Sequence, residues 1–79
     1  MYKNKFKDRN NIVGLEIRKK RQEKKLSQRA FADALQLAGL DIEKNAIQRI
    51  ESGERFVTDI ELIVFAEVLE CEIKDLYLV

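Results

Sequence analysis

Residues 26–54 read LSQRAFADALQLAGLDIEKNAIQRIESGE, and this stretch decides the fold. It predicts two short amphipathic helices. The apolar stripe of the first helix consists of Ala30, Phe31, Ala34 and Leu35, and that of the second consists of Ala46, Ile47 and Ile50. Such spacing is typical of helices that are buried along one side. Gly39 and Gly53 predict the two helix ends, because glycine commonly follows the last helical residue.

The second of these helices also carries a polar face on the side away from its apolar stripe. Its members are Lys44, Asn45, Gln48 and Arg49. Arginine and lysine suit the O6 and N7 acceptors of guanine, and asparagine and glutamine suit N6 and N7 of adenine. The face therefore indicates base reading on DNA, with an ordinary solvated helix face as the alternative interpretation.

Length and composition limit the chain to one small domain. The 79 residues include no histidine, no proline and one cysteine, Cys71, which excludes histidine chemistry and an internal disulfide. Good helix formers predominate, which favours an all-α fold. No apolar run approaches the roughly 18 residues of a membrane span. We therefore expect no cofactor or metal, no membrane partner, no small-molecule ligand and a reducing, cytoplasmic setting.

Charge is distributed unevenly along the chain. Residues 1–29 contain 11 Lys/Arg and 3 Asp/Glu, a net charge of +8, whereas residues 30–79 contain 4 and 11, a net charge of −7. A basic front half is typical of a surface for an anionic partner. Highly charged helices can also be merely solvated, so the pattern permits nucleic acid as the partner without requiring it.

The periodicity divides the chain into a basic, partly ordered N-terminal arm, residues 1–10, and a helical domain, residues 11–79. The arm, with Lys3, Lys5, Lys7 and Arg9, either lies along phosphates or frays. Five helices are predicted, over residues 11–24, after Ser27, over 43–52, from Thr58 to about 69, and over 72–78.

Several polar residues precede these helices and predict where they begin. The expected caps are Asn10 or Asn11, Ser27, Asp41 and Thr58, and Thr58 should form a capping box with Glu61. The fourth helix should bury Leu62, Phe65, Ala66 and Leu69, and the last helix should bury Ile73 and Leu76.

A set of residues along the chain, in a fixed order and spacing, resembles the pattern of a known family. They are Ile17-Arg18 with Arg21, Leu26-Ser27-Gln28, Ala32, Leu35, Ile47, Ile50-Glu51 with Gly53, Phe65-Ala66 with Leu69, and Asp75-Leu76. Over residues 12–78 the chain resembles the lambda-repressor-like family of Cro/CI-type helix-turn-helix regulators, also called the XRE family. The resemblance implies a compact five-helix domain that inserts its third helix into the major groove of double-stranded DNA, and a transcriptional regulator, most often a repressor.

The resemblance also implies roles for individual residues. Lys44, Asn45 and Arg49 match base-contacting positions, with Gln48 as their neighbour, and Gln28 matches a glutamine that touches a phosphate. Arg21 and Glu51 match a structural ion pair between the first helix and the reading helix. Ser27 and Arg55 are further candidate phosphate ligands, at the start of the second helix and after the third.

The chain departs from the family pattern at three places. The connection over residues 36–42 is longer than the usual turn of about 3–4 residues. Because it contains Leu37, Leu40 and Ile42, we expect a packed loop or an extended second helix. Lys25 and Glu70 stand where the family often has glycine, so a left-handed backbone there would be strained.

A second apolar stripe is predicted on the fourth helix, on nearly the opposite side from the first. It consists of Ile60, Val64 and Val68. Either the C-terminal helix or the arm covers it, or it is a self-association surface. Dimers suit the family, because a two-fold protein reads a palindromic site, so we expect a homodimer at least on DNA.

Two rival functions belong to other classes. A protein-interaction module of the same fold, such as an antirepressor or antitoxin, would bind its partner through the acidic half, but the basic, amide-rich third helix favours DNA. An enzyme is not expected, because no nucleophile–base pair, metal cluster or glycine-rich phosphate loop is present. Cys71, flanked by Glu70 and Glu72, should be a small apolar filler with a discouraged thiolate.

Overall fold

A computed structural model describes residues 5–77, and the named elements of this part of the chain are all helices. The helices are α1 (Gly14–Glu23), α2 (Gln28–Leu37), α3 (Lys44–Ser52) and α4 (Asp59–Leu69), followed by a 3-10 helix (Ile73–Tyr77). No β-strand occurs among these residues, so the predicted all-α class is confirmed. The fifth element is a 3-10 helix instead of the α-helix expected over residues 72–78. Leu78, the predicted end of that helix, and the first four residues of the predicted arm lie outside the described residues.

The core lies between all five helices. Phe31 of α2 and Phe65 of α4 are fully buried, and their ring centroids are 5.9 Å apart at an interplanar angle of 41°. The other buried apolar residues are Val13, Ile17, Ala32, Leu35, Ile42, Ile47, Ile50, Leu62, Ala66, Leu69 and Leu76. The inward stripe predicted for α4 is confirmed. Ile73, which was expected to be buried, is 41% exposed, because the first residue of this short helix lies at its open end.

Two of the four α-helices, α2 and α4, begin directly after the polar residue that was expected to cap them. The Ser27 hydroxyl accepts the Ala30 backbone N–H at 2.9 Å. Thr58 and Glu61 form the predicted capping box. The Asn11 side chain accepts the Gly14 N–H at 2.8 Å. However, α1 begins at Gly14, three residues later than predicted, and Val13, the residue before it, makes no side-chain capping hydrogen bond. Asn11 therefore binds the helix start from two residues before the cap position.

The predicted cap at Asp41 is wrong. Glu43 is the residue before α3, and it makes no side-chain capping hydrogen bond. Ile42 is buried in the core, and Glu43 then continues in an extended conformation. Asp41 is exposed and lies too far before the first helical turn to cap it.

Four helix-terminal residues adopt the left-handed conformation. Gly39 and Gly53 have φ of 99° and 88°, and Lys25 and Glu70 have φ of 58° and 56°. The left-handed backbone expected at Lys25 and Glu70 is thus confirmed. A residue with a Cβ pays roughly 1–2 kcal/mol for this conformation, so both helix ends are strained.

The connection between α2 and α3 is a packed loop, as expected. Leu40 packs against the core and Ile42 is 3% exposed. The Gln36 side-chain amide donates to the Ile42 carbonyl oxygen at 2.8 Å, which fastens the loop to the end of α2. Leu37 does not take part, since it is 91% exposed. It follows the buried Leu35 by two residues, and about 200° of helical rotation turns it toward solvent.

The second stripe predicted on α4 does not form one exposed surface. Val64 and Val68 are half-buried and pack against the core, whereas Ile60 is 67% exposed. The difference arises because α4 contacts α1, α2 and the 3-10 helix, so the core surrounds more of its circumference than one stripe. The apolar residues that α4 leaves exposed are Ile60 and Ile63.

Candidate nucleic-acid interface

The exposed side of α3 presents a row of hydrogen-bond donors. Lys44, Asn45, Gln48 and Arg49 are all exposed, on the side away from the buried Ile47 and Ile50. Within residues 5–77, none of the four makes a side-chain hydrogen bond or ion pair. The donors are therefore available to a ligand without loss of an internal contact.

A buried ion pair lies beneath this face. Arg21 Nε and Nη2 donate to the two carboxylate oxygens of Glu51 at 2.7 Å and 3.0 Å, and the two residues are 8% and 5% exposed. Arg21 Nη1 also donates to the Leu26 carbonyl oxygen at 2.7 Å. The pair therefore joins α1, the turn before α2 and α3.

Gln28 extends the same network. Its side-chain amide donates to Glu51 Oε1 at 3.1 Å. Beside it, a groove of about 260 Å³ is lined by Arg18, Arg21, Gln28, Gln48, Glu51 and Ser52. Gln28, the candidate phosphate ligand, thus lies next to Gln48 of the exposed α3 face, and Glu51 fixes its orientation.

The start of α2 carries no acidic residue of its own, and the Glu51 carboxylate that binds Gln28 is paired with Arg21. Ser27 and Arg29 are exposed at this helix start. A helix N-terminus carries a partial positive charge and unpaired backbone N–H groups. This end of α2 therefore suits an anion more than it would if a carboxylate neutralised it.

Arg55 differs from the other candidate phosphate ligands, because its charge already has a partner. Its Nη1 and Nη2 donate to the two carboxylate oxygens of Glu61 at 3.0 Å and 2.8 Å. Burial alone would raise the pKa of Glu61, but hydrogen bonds from Arg55 and Thr58 lower it by more, so the net shift is downward. The hydrogen bond to Glu61 is also the main reason why the pKa of Arg55 is raised.

The sequence reasoning missed the residues that bind the far end of α3. Arg9, Asn10 and Asn11 donate hydrogen bonds to carbonyl oxygens at the end of α3 and in the loop after it. The signal for this contact in the sequence is weak. It consists of Gly14 and Gly53, where a Cβ would meet other atoms at 3 Å or less.

The order of these helices agrees with a comparison of the chain with known families. The sequence profile of the helix-turn-helix family matches residues 17–76, which is most of the chain. The chain belongs to the helix-turn-helix family. The match is to the XRE, lambda-repressor-like type, so the resemblance seen in the sequence is confirmed. Comparisons with curated proteins and with solved structures gave no match.

Membership identifies the chain as a DNA-binding helix-turn-helix domain of a regulatory kind, in a family that is not one of enzymes. In such domains the second helix of the motif lies in the major groove. Here that helix is α3, which carries the exposed donor face. None of the helices in the described range is long and apolar enough to cross a membrane.

Two further kinds of group in the domain are possible metal ligands and the Cys71 thiol. Residues 5–77 contain no group of three or more side chains that could hold a metal ion. Cys71 is half-buried, and burial is the main cause that raises the pKa of its thiol. The expected discouragement of the thiolate is confirmed, although burial, and not the flanking glutamates, is its main source.

Proposed function

We propose that this helix-turn-helix domain is a sequence-specific transcriptional regulator that acts as a repressor and inserts α3 into the major groove of double-stranded DNA. The observation that carries the proposal is the α3 face. Its four donor-rich side chains are exposed and keep no internal partner within the described residues. A free row of this kind can bond to base edges without breaking a contact of the folded protein.

The four side chains divide by chemistry into two classes of base contact. Lys44 and Arg49 suit guanine, and Asn45 and Gln48 suit adenine, with each good bidentate pair contributing about 1–3 kcal/mol of discrimination. Arg21 and Glu51 hold these four side chains in position indirectly, since their buried pair fixes α3 against α1. We therefore assign these two residues to structure and the four exposed ones to recognition.

Phosphate contacts would come mainly from the start of α2. An amide NH₂ group has two N–H donors, so Gln28 can keep its bond to Glu51 and give the second N–H to a phosphate. Ser27 and the uncompensated helix end suit the same anion. Arg55 would be a weaker phosphate ligand, because Glu61 already binds its guanidinium.

A homodimer on DNA completes the proposal. A two-fold protein reads two half-sites about 34 Å apart. Ile60, exposed at the start of α4 with Ile63 beside it, is the best candidate for the contact between copies. Val64 and Val68 can add only the edges that the core leaves exposed. Sedimentation of wild type and Ile60→Glu on a full palindrome tests the dimer, and equal stoichiometry for the two proteins would remove Ile60 from the interface.

Selection from a library of random duplexes at low salt tests sequence-specific binding. We expect enrichment of a palindrome and a steep loss of affinity with added salt, as counterions are released from phosphates. A promoter carrying the enriched palindrome should lose transcription when the protein is present. A folded protein that enriches no sequence would contradict the proposal and favour the protein-interaction module.

Charge reversal locates the DNA-binding face. Lys44→Glu and Arg49→Glu should each weaken binding to the enriched site at least about tenfold, because each loses a base contact and adds a negative charge. Lys74→Glu is the matched control, since this exposed lysine of the 3-10 helix makes the same charge change away from α3. Equal losses in all three variants would mean that the α3 face does not read the site.

A further inference from the structure

Helix α3 ends in a cluster of carbonyl oxygens that need partners. The last four carbonyls of any α-helix lack partners within the helix. At this end, Gly53 and Glu54 return their backbone N–H groups to Ile50 and Arg49, at 3.1 Å and 2.9 Å. These bonds close the last turn, but they leave acceptor capacity at the end of α3 and in the loop after it.

Three consecutive residues before α1 donate hydrogen bonds to these carbonyl oxygens. Arg9 Nη2 donates to Glu51 O at 3.0 Å and to Ile50 O at 3.4 Å. The Asn10 N–H donates to Gly53 O and Asn10 Nδ2 to Glu54 O, both at 2.8 Å, and Asn11 Nδ2 donates to Ile50 O at 3.0 Å and to Arg55 O at 2.8 Å. We call Arg9, Asn10 and Asn11 the N-terminal clamp. It lies before the residues that the family profile matches.

The N-terminal clamp occupies space that is open because two neighbouring residues are glycines without a Cβ. A Cβ on Gly14 would lie 2.2 Å from the Ile50 carbonyl oxygen and 2.7 Å from Arg9 Nη2. A Cβ on Gly53, where φ is 88°, would lie 2.8 Å from Arg9 Cζ. The Arg9 guanidinium is therefore packed between the start of α1 and the end of α3.

A tight turn holds Arg9 in position from the other side. The backbone groups of Phe6 and Arg9 exchange two hydrogen bonds of 2.8 Å and 2.9 Å. Between them, Lys7 and Asp8 both have positive φ, 50° and 66°, as in the two-residue turns that reverse a chain. The basic segment before α1 thus forms a turn over residues 6–9, and it contacts the end of α3 from Arg9 onward.

The charge of Arg9 has protein partners, unlike that of its basic neighbour Lys7. A cation at a helix C-terminus interacts favourably with the helix dipole, and Arg9 is half-buried with its donors turned to carbonyl oxygens. Lys7 is exposed, with its ammonium 5.4 Å from the Phe6 ring centroid. Lys7 can therefore face a phosphate, whereas Arg9 is already engaged by the protein.

We infer that the N-terminal clamp is a positioning device for DNA reading. It fixes the C-terminal end of α3, and with it Gln48 and Arg49. The loop over residues 38–43, which the Gln36 amide and the buried Ile42 fasten to α2 and the core, holds the other end. Without the clamp, this end of α3 keeps the Arg21–Glu51 pair and the buried Ile50 but loses its other anchor, which gives it more freedom to shift relative to the rest of the domain. The clamp thereby contributes to sequence discrimination without touching DNA. This inference rests on the proposed function, and its test includes one measurement that needs no DNA.

The first measurement compares binding to the enriched duplex and to a random duplex over a salt series. Arg9→Met should lower the ratio of the two affinities about tenfold, the scale of one hydrogen bond to a charged group. The slope of affinity against salt should stay unchanged. Lys7→Met, the control, should keep the ratio and lower the slope by about one if Lys7 faces a phosphate. Arg9→Lys, which keeps the cation, should recover part of the ratio.

Two results would overturn the inference at temperatures where the variant is folded. If Arg9→Met weakens both duplexes equally and lowers the slope by about one, Arg9 is a phosphate ligand. If it lowers only the melting temperature and keeps the ratio, the clamp is structural and has no part in discrimination.

Amide hydrogen exchange of the free protein is the second measurement. Arg9→Met should accelerate exchange at Gly53 and Glu54 about tenfold, by the loss of the same bond, and leave the amides of α4 unchanged. Unchanged exchange at the end of α3 would refute the clamp, whatever DNA does. If wild type prefers no sequence, the proposed function fails, and positioning for DNA reading is overturned with it even where exchange supports the contact.

Discussion

The change Glu51→Ala removes one partner of the buried ion pair and leaves Arg21, a residue only 8% exposed in the wild-type fold, without its carboxylate. It also removes the acceptor of the Gln28 amide. Stranding one member of such a pair costs about 3–5 kcal/mol. The total stability of a domain of this size is roughly 4–12 kcal/mol, so the variant should lose a large share of it.

In a domain of 60–100 residues, 1 kcal/mol corresponds to about 4–8 °C, so a loss of about 3–5 kcal/mol should lower the melting temperature by roughly 12–40 °C. Circular dichroism during heating measures the shift, and urea titration measures the free energy. Glu67→Ala is the control, because this exposed glutamate of α4 makes no side-chain hydrogen bond or ion pair within residues 5–77. If the two variants melt within about 3 °C of each other, the burial argument is wrong. Arg21→Met combined with Glu51→Leu should recover much of the loss, since apolar replacement of a whole pair is often neutral or stabilising.

Three further changes test other contacts of the fold. Lys25→Gly should raise the free energy of unfolding by about 1 kcal/mol, because glycine relieves the left-handed strain; a decrease in urea titration would contradict this. Gly14→Ala should lower it by about 2 kcal/mol or more, since the new Cβ would meet the Ile50 carbonyl oxygen; an unchanged melting temperature would show that the two helices separate freely. Glu61 has a lowered pKa in the folded state, so its stabilising contact with Arg55 is complete above its unfolded pKa and is lost as pH falls through the folded value. Glu61→Gln should therefore make the free energy of unfolding depend less on pH below about pH 4.5. The same pH dependence in the variant and the wild type over that range would refute this account.

Local signals in the sequence predicted local structure well. The cap at Ser27 and the box of Thr58 with Glu61 involve residues three apart, so their chemistry is contained within one helical turn. Gly53 ends α3 for the same reason, since a left-handed residue is a property of its own backbone. The apolar spacing of α4 also identified the buried side of that helix, because one helix face repeats every three to four residues.

Contacts between distant residues could not be predicted in the same way. Arg55 stays a candidate phosphate ligand, but its ion pair with Glu61 in α4 was not predicted, because nothing in the spacing of the two residues signals it. The bonds from Arg9 to the end of α3 join residues more than 40 positions apart. The Arg21–Glu51 pair was anticipated only through the family resemblance, and residue spacing alone would not have indicated it.

The arrangement of arginines sets a limit on what net charge says about DNA binding. Three of the six arginines, namely Arg9, Arg21 and Arg55, have guanidinium groups bound by carbonyl oxygens or carboxylates of the chain itself. The other three, Arg18, Arg29 and Arg49, are exposed and make no side-chain hydrogen bond within the described residues. Arginine's planar fork suits both uses, so the sequence does not distinguish them. The +8 of residues 1–29 therefore overstates the charge that faces an anionic partner, because part of it holds α1 and α3 together.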